Sequence, residues 1–555
     1  MFRTFISTII LMTGSLAASG RHPKVDKDLE NVNPESTIEV IIQYRQVPVA
    51  AHHQKVHNKG GLLKRELAVI KGAHYSVKAS SLGEIANDPD VVAILPDRPV
   101  RSMNDITVTT IGADLAAIYG YTGTGIGVAV IDSGIADDHE DFKGRIVYAQ
   151  NFASGKQDDL YGHGSHVAGI LGGSGKKSSG KDASRIMRGI APTVNFIDLR
   201  VLDQNGSGAD SNVIAAISQA IALKSKYNIR VINMSLGRAP AGSSSTDPLC
   251  QAVEAAWKAG IVVVVAAGNG GRDNSMGTNG YGTITAPGND PYVITVGAMK
   301  TMTTPSRWDD RIASYSSKGP TGIDHVVKPD LVAPGNRIVS VLGKEANLDA
   351  TYPTTRVRNS YYKSNGDGNS SPDYFQLSGT SMATPVVSGA AAILIQKDPS
   401  LTPDQVKARL MKTASKSFPL ASTATDPVTG QTYTSQYDIF TIGAGYLDLS
   451  AALNSYDKAS GSAQSPRAVF DATARTVSLV YGQGVVWGSG VVWGSGVVWG
   501  SNAFVSGTGV VWGSGVVWGS GGAMQGTGVV WGSGVVWGSA ITAGESTAIA
   551  INGEN

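Results

Sequence analysis

A serine in Thr380-Ser-Met-Ala-Thr-Pro385, within Leu377-Ser-Gly-Thr-Ser-Met-Ala-Thr-Pro-Val386, stands where small residues turn abruptly into an apolar run. The following Val386-Val-Ser-Gly-Ala-Ala-Ala-Ile-Leu-Ile395 carries no charge, which predicts a buried helix with Pro385 in its first turn, where a missing N–H costs nothing. Ser381 then lies at the positive end of a helix dipole, beside free N–H groups suited to a developing oxyanion. It reads as a nucleophile, and equally as a helix N-cap if taken alone. A hydroxyl attacks an amide only with a base to take its proton and an acid to orient that base. Asp132, in Asp132-Ser-Gly134, is the candidate acid, and His163, in Gly162-His-Gly-Ser-His-Val-Ala-Gly-Ile170, the candidate base. Singly, the aspartate reads as a turn or cap and the histidine as polar surface.

The elements that must position these groups are legible around them. Gly125-Ile-Gly-Val-Ala-Val-Ile131 reads as a buried strand ending at Asp132, where an open α/β sheet places functional side chains. His163 opens a second helix. These segments resemble the subtilases, the subtilisin-like serine proteases, over residues 105 to 455, and share their order Asp, His, Ser. The resemblance implies a three-layer α/β/α domain around a mostly parallel sheet, with Asp132 orienting, His163 as general base and then acid, and Ser381 attacking. It makes His166 a packing residue. A zinc reading of His163 and His166 fails for want of the Glu and the third ligand.

Against the same pattern, the strand Ile261-Val-Val-Val-Val-Ala-Ala-Gly-Asn269 presents Asn269 as oxyanion donor; the plain alternative is a turn asparagine. Ser235, Leu236 and Gly237, at the end of the strand Val231-Ile-Asn-Met-Ser-Leu-Gly237, match the family's substrate-pairing edge, and Gly206, Ser207 and Gly208 the loop opposite. An extended peptide between them is recognised through its backbone. Ala266, Ala267 and Gly268 form one wall of the pocket for the residue before the cut, with its floor in or after Gly270 to Pro287, where this chain departs from the pattern. Val386 stands where many relatives have histidine, a change activity should survive. No cofactor is expected: Asp141 matches a calcium ligand of some relatives, but the loop Gly172-Gly-Ser-Gly-Lys-Lys-Ser-Ser-Gly-Lys181 is basic and poor in the oxygen ligands calcium needs. Gly123-Thr-Gly-Ile-Gly127 lacks the ribose-binding context of a dinucleotide site.

The 555 residues suffice for two or three domains, and a net charge of +2 speaks against nucleic acid or an acidic membrane surface as partner. Residues 1–19 combine a positive start, a short apolar run and small residues, as in a secretory signal peptide, which predicts a secreted, extracellular protein. Cys250, the one cysteine, forms no internal disulfide and is expected to pack as a small hydrophobe in a helix through Pro248–Trp257.

Residues 20–105 resemble the inhibitor-type propeptide of the family. Strands are expected at Ile38–Tyr44 and Val91–Leu95 with a helix at Gly61–Ile70, a small α+β domain. Such a segment caps the site and assists slow folding of long-range strands; the plain alternative is an accessory domain. Cleavage by the chain itself is expected between Asp97 and Thr110. Residues 106–455 form the peptidase domain and 456–555 a C-terminal region, in which Val-Val-Trp-Gly-Ser occurs seven times. Residues Gly482 to Gly544 hold no charge and no proline. Valine and tryptophan favour strands and an even period keeps the tryptophans on one face, whereas the glycine content also fits low complexity without fixed structure. An aromatic stripe of this kind suits contact with glycans, the cell envelope or other copies of itself. Two function classes result: an autoprocessed endopeptidase acting on proteins or peptides, or a surface-binding protein whose protease domain serves only maturation. The complete set of catalytic residue types favours the first.

Overall fold

A computed structural model describes residues 22–26, 29, 32–97, 103–104, 106–426, 429–471, 476–480 and 551–554, and short strand segments between 492 and 517. The signal-peptide stretch, residues 98–102 and 105 of the expected cleavage region, and most of the repeats lie outside the described residues. The chain divides into two units, Met1–Arg101 and Ser102–Asn555.

In the first unit four antiparallel strands run in the order Leu62–Leu67, Gly72–Lys78, Thr37–Tyr44, Val91–Pro96. Alternation in Thr37–Tyr44 buries Val40, Ile42 and Tyr44 against Tyr75, Val77 and Ile94. The two outer expectations hold within a residue, but Gly61–Ile70 is not a helix. Leu62–Leu67 is an edge strand with a short 3-10 turn at Ala68–Ile70. The helices are Ala50–His57 and Leu82–Ala86 instead. Helix-forming Leu, Lys, Arg and Glu were overruled by the unpaired edge of Gly72–Lys78, which supplies their backbone groups with partners.

The second unit is built on an eight-stranded sheet. Its path runs Arg311–Ile312, Ile294–Lys300, Val262–Ala266, Ile229–Met234, Gly127–Asp132, Asn195–Arg200, Ile146–Asn151, with Leu331–Pro334 also paired to Ile294–Lys300. All pairings are parallel except that of Arg311–Ile312. Gly127–Asp132, Val262–Ala266 and Ile294–Lys300 are buried along their whole length. That requires helices on both faces. Asp210–Tyr227 packs with Pro248–Lys258 to form one cover, and His163–Gly172 packs with Thr380–Lys397 to form the other. The parallel arrangement brings the ends of Gly127–Asp132, Ile229–Met234 and Val262–Ala266 to one edge, with Asp132, Ser235 and Asn269 at or just beyond them.

Two local expectations shift. The helix that carries Ser381 begins at Thr380, so Pro385 is its sixth residue and interrupts the helix interior rather than its first turn. Gly379 is the N-cap, and Ser381 is the second helical residue. The C-terminal region does not begin at a structural boundary: Ala463, Ala468, Val477 and Leu479 belong to the main core, and Arg467–Asp471 forms a hairpin with Thr476–Val480. Cys250 is buried, and its thiol donates to Asn289 Oδ1 at 3.3 Å. The described strand segments among the repeats form short antiparallel pairs, such as Val511 with Val517.

Candidate active site

Asp132 ends a strand with its side chain fully buried, and its Oδ1 accepts from His163 Nδ1 at 2.7 Å and from the Ser133 N–H at 2.8 Å. The strand fixes the carboxylate, and the helix that His163 opens brings the ring to it. Their close approach depends on Gly164, where a Cβ would lie 2.1 Å from the Gly134 carbonyl oxygen. Burial pushes the His163 imidazole down, but the charge and hydrogen bond of Asp132, with Asp159 behind them, outweigh it and hold the pKa above the ordinary value. His166, on the same helix, is fully buried, edge-on to Phe375, with Nε2 3.0 Å from the Ile338 carbonyl. Burial and the neighbouring His163 push it down to about 3, so it stays neutral.

Asp159 is a residue that motif reading missed. Its buried carboxylate accepts from Ser133 Oγ at 2.7 Å, Gly162 N at 2.8 Å and Ser165 N at 2.7 Å. It thereby ties the turn after Asp132 to the start of the His163 helix. The signal available was an acid three residues before the glycine that precedes His163, too common a pattern to single out.

Ser381 Oγ donates to the Ser235 carbonyl at 3.1 Å, and Ser235 Oγ donates to the Ser381 carbonyl at 2.8 Å. Asn269 Oδ1 accepts from the Thr380 N–H at 2.9 Å and from Thr380 Oγ1 at 3.1 Å. With its oxygen committed, Nδ2 is the end left to donate. Gly379, at φ 147°, lets the chain pass Asn269: a Cβ there would stand 3.2 Å from Nδ2.

His163, Ser381 and Asn269 line a single cleft of about 570 Å³. Of the residues expected to bind substrate, Gly206, Gly208, Ser235, Leu236, Gly237, Ala266 and Gly268 line it too. Ser207 and Ala267 are not among its lining. Ala267 is buried, with its N–H on Val296 and its carbonyl receiving Thr285, so it supports the wall from behind. Met276, Tyr281 and Ile284 extend the lining through the segment where the floor was expected, and Ile323 joins them. Arg238 also borders the cleft, its guanidinium held by Asp210 and Asp247.

The Asp141 carboxylate accepts from the Lys177 N–H at 3.0 Å and the Tyr374 hydroxyl at 2.7 Å, and no group of three acidic, histidine or cysteine side chains suited to a metal occurs among the described residues.

A parallel sheet covered on both faces, with an Asp–His pair, a helix-start serine and an amide donor at one edge, has the form of a serine hydrolase. Comparison with known proteins gives the class its name. The subtilase family model matches residues 123–445, and the chain belongs to that family. It is 36% identical over 363 residues to serine protease AprX of Bacillus subtilis (strain 168), covering 63% of this chain and 75% of that one. Subtilisin E of the same organism is 31% identical over 383 residues, covering 67% and 84%. The extracellular serine proteinase of Thermus sp. (strain Rt41A) is 35% identical over 356 residues, covering 62% and 71%. The protein is therefore a serine-type endopeptidase, with proteins or peptides as substrates.

Proposed function

We propose that this is a secreted, subtilisin-like endopeptidase made as an autoprocessed zymogen, working through Asp132, His163 and Ser381 with Asn269 as oxyanion donor. The observation that carries the reading is the 2.7 Å Asp132–His163 contact in the cleft shared by Ser381 and Asn269. With Nδ1–H directed to Asp132, the His163 Nε2 lone pair is the base. On substrate entry the Ser381 hydroxyl leaves the Ser235 carbonyl, gives its proton to Nε2, and attacks the scissile carbonyl. Apo geometry at such a site is commonly loose and tightens with substrate bound.

The developing oxyanion takes hydrogen bonds from Asn269 Nδ2 and from the Ser381 N–H, which lies in the first helical turn where no intrahelical acceptor exists. Imidazolium then gives its proton to the leaving amine, and a water, deprotonated by the same nitrogen, releases the acyl group. The peptide lies extended between Ser235–Gly237 and Gly206–Gly208, with the side chain before the cut against Ala266 and Gly268.

Supporting export are residues 1–19 and a relative whose name describes it as extracellular. No helix among the described residues is long and apolar enough to cross a membrane. The four-stranded unit is read as the propeptide and first inhibitor, released between Asp97 and Thr110. The repeats are read as a contact for glycans or the cell envelope.

The test is expression of residues 20–555 beside Ser381→Ala, following chain mass and casein cleavage with and without a serine-directed phosphonate. Wild type should lose about its first hundred residues and cleave casein; the mutant should do neither. A folded wild type that stays inert after its first unit is clipped by an added protease would end the protease reading in favour of surface binding.

A further inference from the structure

Glu554, beyond the repeats, sits fully buried inside the catalytic unit. Its carboxylate meets Arg272 at 2.6 Å and Lys300 at 3.1 Å, two cations whose side chains are only 5% and 4% exposed. The Ser314 N–H at 3.0 Å and the Ser314 hydroxyl complete the cradle. The main chain is gripped as well: Glu554 N donates to Asn336 Oδ1 at 2.8 Å, and Asn336 Nδ2 donates to the Glu554 carbonyl at 2.9 Å. Gly553, at φ +59°, presses so close that a Cβ would lie 2.4 Å from Ser378 Oγ. Burial pushes the Glu554 carboxyl up, but Lys300, Ser314 and Arg272 outweigh it and hold it below the usual range.

Both halves of this cradle lead to the reacting groups. Arg272 is three residues past Asn269; between them, Gly271 N bonds the Tyr315 carbonyl at 2.8 Å and Gly270 N bonds Ser317 Oγ at 2.9 Å. Asn336 is flanked by Gly335, whose carbonyl accepts the Gly379 N–H at 2.8 Å, and by Arg337, whose N–H donates to Ser378 Oγ at 2.9 Å. Ser378 and Gly379 lead directly into Thr380 and Ser381. One acidic side chain and its own peptide groups thus bracket the loop after the oxyanion amide and the loop before the nucleophile.

From this we infer that residues 551–554 act as an intramolecular clamp, and that Glu554 is a positioning residue for Asn269 and Ser381. The inference rests on the protease reading above. The repeats then connect two attached points, the hairpin Arg467–Asp471 with Thr476–Val480 at one side and the clamp at the other. Removing the carboxylate takes away the anion that Arg272 and Lys300 share; Asp426 still pairs with Arg272, and the buried groups around Ser314 and Lys300 must shift or draw in water. Displacement of the Asn269 and Gly379 loops by a fraction of an ångström acts on transition-state contacts more than on substrate backbone pairing.

The test uses the full chain with Glu554→Gln, Glu554→Ala and Gly553→Ala, each matured and titrated with a fluorophosphonate so that rates refer to intact sites. Expected is a fall in kcat of about 10- to 100-fold with KM within about 2-fold of wild type. A peptide of residues 548–555 added to Glu554→Ala should restore kcat, and the same peptide with glutamine in place of Glu554 should not. Should the Glu554 variants fail to fold, Gly553→Ala, which retains the carboxylate, decides alone. Wild-type kcat per titrated site in the folded variants, even with a lowered melting temperature, reduces the contact to stability alone and overturns the inference. Failure of the wild type itself to react with the fluorophosphonate or cleave peptide overturns the protease reading instead.

Discussion

Ser381 and Ser235 hold each other by two hydrogen bonds running in opposite directions, hydroxyl to carbonyl at 3.1 Å one way and at 2.8 Å the other. The second follows from Pro385. In an uninterrupted helix the Ser381 carbonyl would accept the N–H of residue 385, which proline lacks. Ser235, at the end of the strand Ile229–Met234, supplies the missing donor. The expected nucleophile is thereby tied to the expected substrate-pairing edge through a defect in its own helix.

Ser235→Ala should expose that defect. Leaving the partly buried Ser381 carbonyl without its donor costs about 1–3 kcal/mol. Urea unfolding measured in a Ser381→Ala background, where autolysis is absent, reads the loss directly. In the otherwise wild-type enzyme kcat should fall with it, because the same bond sets the start of the helix that carries Ser381.

Asn269→Ala should lower kcat by about two to three decades with KM nearly unchanged, the range observed when subtilisin loses its oxyanion donor. Steady-state kinetics on a peptide anilide would check it. A loss confined to KM would mean that Asn269 binds substrate without stabilising the oxyanion.

The acid limb of the pH–rate profile should lie above the ordinary imidazole value of about 6.5, because Asp132 holds His163 high against the downward push of burial. With His163 as the proposed base, only its neutral form accepts a proton from Ser381, so activity should rise as pH climbs through that raised value. Stability runs the other way. A raised folded-state pKa contributes stability below the unfolded value and loses it as pH passes the folded one. Asp132→Asn should therefore move the acid limb of kcat/KM down and flatten this part of the stability profile, which calorimetry on Ser381→Ala would show.

Gly164→Ala should be damaging although it adds a single methyl group. The Cβ would meet a backbone oxygen at 2.1 Å, which cannot rotate away, so the helix must separate from the Asp132 turn. A cost of about 1–3 kcal/mol or more is expected, along with a fall in kcat from a lengthened Asp132–His163 contact. Thermal unfolding and kinetics on the same preparation would measure both.

The residue types at the site and the elements that carry them can be read from short windows of the chain. Asp132 at a strand end, His163 and Ser381 at helix starts, and Asn269 after an aliphatic strand are each set by a short window in which apolar runs meet small residues. What depends on groups distant in the chain was set by packing. Leu62–Leu67 became a strand because a neighbouring edge needed partners. Asp159 joined two motifs through backbone N–H groups, which leave no mark in composition. The Ser381 carbonyl left open by Pro385 found its donor at Ser235, 146 positions from Ser381, and Glu554 reached Arg272 across 282. Periodicity records which face of an element is buried; it holds no record of which distant polar group will meet a buried donor or charge, because that is fixed only when packing excludes water and leaves one partner within reach.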